Sequence, residues 1–122
     1  MEIVKISEAE YEIMKIIWKE DDEVTTAKII EELGEDNLWK HTTILTLAKR
    51  LVDKNVLRVR KKGKINYYFP TISKDEYKSH QADDFIEDMY GGSVKSLVAS
   101  LYKNKKIGEE DIKELKDWIR RV

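Results

Sequence analysis

KHTTILTLAKRLVDKNVLRVRKKGKINYYFP, residues 40–70, holds the reading that decides the fold. Its first half has a helical pattern. At about 100° per residue, Thr42, Thr43, Thr46, Lys49, Arg50 and Asp53 fall within an arc of roughly 120°, and Ile44, Leu45, Leu47, Ala48, Leu51 and Val52 fill the other side. The spacing predicts an amphipathic helix over about 41–54. The second half alternates, as Leu57-Arg58-Val59-Arg60 and again as Ile65-Asn66-Tyr67. Between these runs lies Lys61-Lys62-Gly63-Lys64, where Gly63 can take φ > 0. This is a two-stranded hairpin with a lysine tip, ended by Pro70.

The charges of the chain are sorted around this stretch. Residues 40–64 carry nine Lys/Arg against one acid, Asp53, a local net of +8; the other residues carry 14 basic and 23 acidic groups, a net of −9. A solvated helix face ordinarily mixes both signs, and the predicted third helix has short hydroxyls and bases with almost no acid. A basic helix followed by a basic hairpin suits the phosphate backbone of a duplex, where Lys and Arg displace condensed counterions.

Working outward, Ser7-Glu8-Ala9-Glu10 has the spacing of a capping box and opens a helix. Tyr11, Met14 and Trp18, with Ile13 and Ile17, give it apolar stripes, and it ends before the acidic Glu20-Asp21-Asp22-Glu23. Thr25 caps a short second helix with Ala27, Ile30 and Leu33 on one side and Gly34 as its stop. Residues 35–40 form a turn in which Leu38 or Trp39 serves as an apolar plug. Beyond the hairpin, Ser73-Lys74-Asp75-Glu76 is a second capping box. It opens a helix stopped by Gly91-Gly92, Ser93 caps the next, and a last helix spans about 109–121. That helix has acids in its first turn and Arg120 and Arg121 in its last, which suits the helix dipole.

The element order is that of a winged helix-turn-helix. The predicted fold is mainly α with a small β-hairpin wing: a DNA-binding domain over 1–72 and a helical dimerisation region over 73–122. The third helix is expected in the major groove, where base edges carry a full donor/acceptor code. Lys40, His41, Thr42, Thr43 and Thr46 are expected nearest the bases, with Trp39 also in the DNA-binding set. Lys49 and Arg50, one to two turns on, and Arg60, Lys61, Lys62 and Lys64 in the wing are expected on phosphate. The last 50 residues cannot easily bury a self-sufficient core. Tyr77, Phe85, Ile86, Met89, Leu97, Leu101, Ile112, Leu115, Trp118 and Ile119 are therefore expected at a homodimer interface, and two reading heads match a pseudo-palindromic operator.

Other chemistry is thin. There is no cysteine, hence no disulfide framework, thiolate site or thiol nucleophile. No apolar run approaches the roughly 18 residues that span a bilayer, and the N-terminus has acids where a signal peptide is basic and apolar. A soluble, cytoplasmic protein is expected. His41 and His80 are far apart in sequence, Asp83-Asp84 and Glu87-Asp88 read as a solvated face, and no Gly-rich phosphate loop or H-E-x-x-H is present. No enzyme activity, metal or cofactor is expected. The competing reading is a winged-helix protein–protein interaction module that does not touch DNA; the Thr-rich, acid-poor arc favours DNA.

Four separated stretches resemble one known family, the penicillinase repressors of BlaI/MecI type. Ser7 to Trp18 is similar to its opening helix, with Tyr11 where an aromatic is common. Trp39, Thr43, Thr46, Arg50 and Leu51 match its turn and recognition helix, Tyr67-Tyr68-Phe69-Pro70 resembles the end of its wing, and Tyr90 to Val98 resembles its C-terminal signature. The resemblance implies a dimeric repressor of palindromic operators. In antibiotic-responsive members a membrane sensor's signal leads to cleavage in the dimerisation region. That cleavage maps here near Ser100-Leu101, where cleaved members commonly have Asn-Phe. Related copper-responsive repressors end in a Cys-rich metal motif, a switch that the absence of Cys excludes.

Overall fold

The computed structural model describes residues 5–20 and 22–122. Asp21 of the acidic run and the first four residues, on which the signal-peptide reading partly rests, lie outside the described residues. Among the described residues, six helices and three strands follow in the order α1 (Glu8–Lys19), β1 (Val24–Thr25), α2 (Thr26–Leu33), α3 (His41–Asp53), β2 (Leu57–Lys62), β3 (Ile65–Pro70), α4 (Lys74–Tyr90), α5 (Val94–Lys103) and α6 (Glu109–Arg121). The chain divides into two compact units between His80 and Gln81.

The first unit is built from capped helices. Ser7 closes the expected box: the Glu10 N–H donates to Ser7 Oγ at 3.1 Å and the Ser7 N–H donates to Glu10 Oε1 at 2.9 Å. The Lys28 N–H donates to Thr25 Oγ1 at the start of α2. Ile13, Met14 and Ile17 of α1, Ile29 of α2 and Ile44 and Leu51 of α3 are fully buried and meet in one core. Each such side chain contributes about 1.5–3 kcal/mol by leaving water. In α2 the buried residue is Ile29; of Ala27, Ile30 and Leu33, expected on one side, Leu33 packs on the core and the other two are exposed. An eight-residue helix has too little periodicity to fix its own rotation, and here the core takes Ile29 with Leu33 one turn on.

Helix α3 passes to the wing through a tight left-handed turn. Asn55 takes φ 63°, the Asn55 N–H donates to Val52 O and the Val56 N–H donates to Leu51 O. This is a Schellman closure with Asn at the left-handed position, and it aims β2 directly off the end of α3. The sheet has the order β1-β3-β2, all antiparallel. Its hairpin is longer than the alternation suggested, pairing Lys62 with Ile65 across a two-residue Gly63-Lys64 turn. Gly63 there has φ 63°, as a tight hairpin with glycine at its first central position requires. The strand β1 was not expected. Two residues give no alternation to read; Val24 is held by burial and by pairing with Tyr68.

The first turns of α4 also belong to this unit, which is why the division falls beyond residue 72. Tyr77, expected at the dimer interface, is buried in the first unit's core. It stacks edge-on to Trp18 and Tyr11, and its hydroxyl accepts from the Ile6 N–H. Trp18 Nε1 donates to Ile72 O at 2.9 Å, tying α1 to the chain leaving the wing.

The second unit holds the rest of α4, with α5 and α6. The Ser96 N–H donates to Ser93 Oγ at the start of α5. Neither α5 nor α6 has a buried residue.

Candidate nucleic-acid interface

The buried face of α3, Ile44, Leu47, Ala48 and Leu51, fixes what its other face presents. His41, Thr42, Thr46, Lys49 and Arg50 are exposed, and Thr43 is half-buried. Lys40 precedes the helix, and no side chain caps its first turn. The helix therefore offers uncovered backbone N–H groups beside a cation, an arrangement that favours anions. Thr46 Oγ1 donates to Thr42 O at 2.9 Å, which leaves its lone pairs and methyl group facing outward; these fit an amino donor or a thymine methyl on a base edge. Trp39 turns toward the core and packs on it, whereas Leu38 is 93% exposed. Trp39 is thus the plug, packed on the core immediately before Lys40 and the start of α3.

The wing alternates as a strand must. Leu57 is buried, and Val59 and Lys61 share a cleft of about 490 Å³ with Leu45, Lys49, Val52 and Asp53. Arg58, Arg60 and Lys62 point to the opposite face, across from Phe69, Tyr67 and Ile65. The basic tip and the α3 face are thus joined by a cleft that itself carries two lysines.

Not every base in residues 40–64 is available. Lys54 Nζ lies 2.5 Å from Glu10 Oε1 and 3.3 Å from Lys5 O, so it closes the core rather than facing out. Arg60 is held by Glu23 through two parallel bonds, Nε to Oε1 at 3.1 Å and Nη2 to Oε2 at 2.6 Å. The Glu23 carboxylate raises the Arg60 pKa above its ordinary value. Arg60, expected on phosphate, thus has two of its N–H donors engaged by Glu23 while its side chain stays exposed. Lys49 makes a loose pair with Asp53 at 3.6 Å, both well exposed. Among the described residues, Lys40, Arg50, Arg58, Lys61, Lys62 and Lys64 have no ion-pair partner. Arg58 was not among the expected contacts. Its signal was present in the strand alternation, which sets it on the same face as Lys62.

Within the second unit, α5 and α6 enclose an open groove of about 850 Å³ lined by Val94, Val98, Tyr102, Ile112, Leu115 and Trp118 among others. Trp118 is 55% and Ile119 59% exposed, and Phe85, Met89 and Leu115 are also exposed. Ile86, Leu97, Leu101 and Ile112 are half-buried. Val94 and Tyr102 join this surface without having been expected there. Ser100 and Leu101 sit inside α5, with the Asn104 N–H donating to Ser100 O and the Lys106 N–H to Leu101 O.

Residues 6–121 match the family model described as penicillinase repressor. The penicillinase repressor of Bacillus licheniformis is 34% identical over 113 residues, covering 93% of this chain and 88% of its own. That of Staphylococcus aureus is 35% identical over 119 residues, 98% of this chain and 94% of its own. Among solved structures, the DNA-binding domain of the repressor BlaI superposes with a TM-score of 0.54 at 38% identity, covering 62% of this chain and 92% of that one. The monomeric form of Bacillus licheniformis BlaI in complex with the blaP half-operator superposes with a TM-score of 0.51 at the same identity and coverage.

Proposed function

This chain belongs to the penicillinase repressor family of DNA-binding, winged-helix transcriptional repressors, and from that premise we propose that it works in the cytoplasm as a homodimer. Each protomer sets the outward face of α3 in the major groove of one half of a pseudo-palindromic operator. Thr42, Thr43 and Thr46, with Lys40 and His41, read base edges; Arg50, Lys49, Lys61, Lys62 and Lys64 hold phosphate. Bases specify and phosphates position.

The observation that carries this reading is the pairing pattern of the basic stretch. Lys54 is taken up by Glu10 at the edge of the core and Arg60 is held by Glu23 on the exposed face of the sheet, while the six without ion-pair partners among the described residues line the start and outer face of α3 and the wing. A protein-docking surface needs no such sorting. The complex of the related BlaI with its half-operator supports the same placement. The apolar groove between α5 and α6 supports a second copy as its cover, since nothing within the second unit fills it.

Release by an upstream sensor or protease completes the reading. The Ser100–Leu101 peptide lies in hydrogen-bonded helix, so cleavage there requires α5 to open first. DNase footprinting of the duplex upstream of its own coding region tests the whole. Two protected half-sites are expected, with centres one helical turn of about 34–36 Å, or a multiple of it, apart. A single half-site, or no protection, overturns the dimeric reading.

A further inference from the structure

Glu23 lies immediately before β1, outside the basic stretch, yet it accepts two charged hydrogen bonds from Arg60 of the wing. Strands β1 and β2 are both outer strands, with β3 between them. Tyr67 on β3 pairs with Thr25 on one side and Arg60 on the other. The Arg60 guanidinium lies 5.3 Å from the Tyr67 ring centroid and ends on the Glu23 carboxylate. The side chains therefore cross the middle strand and fasten one edge of the sheet to the other. The backbone alone joins β1 to the sheet over only two residue pairs.

We propose that Glu23 and Arg60 are positioning residues for DNA binding: a clamp across Tyr67 that fixes the angle of the wing, and hence of Lys61, Lys62 and Lys64, against the body that carries α3. The inference rests on the duplex-binding reading above. A fork-to-fork carboxylate pair stacked on an aromatic ring is specific to arginine; lysine keeps the charge but loses the fork and the stack. Arg60 thus acts through geometry, whereas a phosphate contact needs only charge. The alternative use of the same atoms is masking, in which Glu23 withholds Arg60 from phosphate.

The two uses predict opposite signs. The full chain and the variants E23Q, R60K and E23Q/R60K are titrated by fluorescence anisotropy against a labelled duplex of its own upstream region and against a random-sequence duplex, over a salt series. Circular dichroism melts confirm that each variant is folded. The clamp predicts that E23Q and R60K each weaken binding to both duplexes by about three- to fivefold, the upper range for an exposed pair of good geometry, with the double variant no worse than either alone. Tighter binding by E23Q with a steeper salt slope overturns the clamp in favour of masking. R60K at wild-type affinity overturns it in favour of a simple charge contact. A wild-type chain that binds neither duplex overturns the DNA reading and the clamp with it, whereas the other two outcomes overturn the clamp alone.

Discussion

Lys54 belongs to the basic stretch in sequence and to the core in space. Glu10, only 1% exposed, takes its ammonium at 2.5 Å, and the same carboxylate completes the cap of α1. Burial pushes the Glu10 carboxyl up, but the hydrogen bonds from Lys54 and Ser7, with the Lys54 charge, hold it below its ordinary value. Lys54→Ala leaves a buried, unpaired carboxylate and should cost about 2 kcal/mol in urea unfolding at pH 7, less than a wholly buried pair because Lys54 is partly exposed. The folded carboxyl titrates below the unfolded one, so its contribution is complete above the unfolded value of about 4.3 and is lost as pH falls through the folded value. The gap between wild type and Lys54→Ala should therefore narrow as pH drops below about 4.3; a constant gap would show that charge pairing is not its source. Counting charges along the chain could not have separated Lys54 and Arg60 from their neighbours. Their partners lie 44 and 37 positions away, and only the fold brings them together.

At the scale of elements, α1 and α3 could be read from sequence because caps and apolar spacing agreed with what the core needed. Ser7, Thr25 and Ser93 each accept the expected backbone hydrogen bond. The short elements were the less legible: α2 was read with its cap and its stop but not its buried Ile29, and β1 is too brief to carry a pattern. Tyr77 was expected at the dimer interface because a helix stripe does not say which partner covers it; Trp18 and Tyr11 do. Helix α5 carries its own prediction. Its backbone carbonyls at 100 and 101 are hydrogen-bonded beyond the last turn, and Lys105 takes φ 60° to close it. A protease needs extended chain, so brief thermolysin treatment of the native protein, followed by mass spectrometry, should give first cuts outside Val94–Lys103. A first cut at Ser100–Leu101 would mean that α5 opens more readily than its hydrogen bonding implies.

At the scale of the whole molecule, recognition belongs to the first unit and, in the proposed dimer, avidity to the second. Trp118→Glu places a charge in the apolar groove of α5 and α6. It should sediment at the mass of one protomer and bind its upstream duplex about a hundredfold more weakly, since linking two heads commonly gains 10²–10⁴. The melt of the first unit should stay unchanged. A dimer that survives this substitution would move the interface elsewhere. The dependence of duplex affinity on salt tests the central claim most directly. Each phosphate neutralised should steepen the slope of log K against log salt by about 0.9. A steep linear fall is expected for the wild-type chain, and for Arg50→Ala a slope shallower by about 0.9 per protomer, about 1.8 for the dimer. Affinity that ignores salt, or a slope that Arg50→Ala leaves unchanged, would contradict the claim.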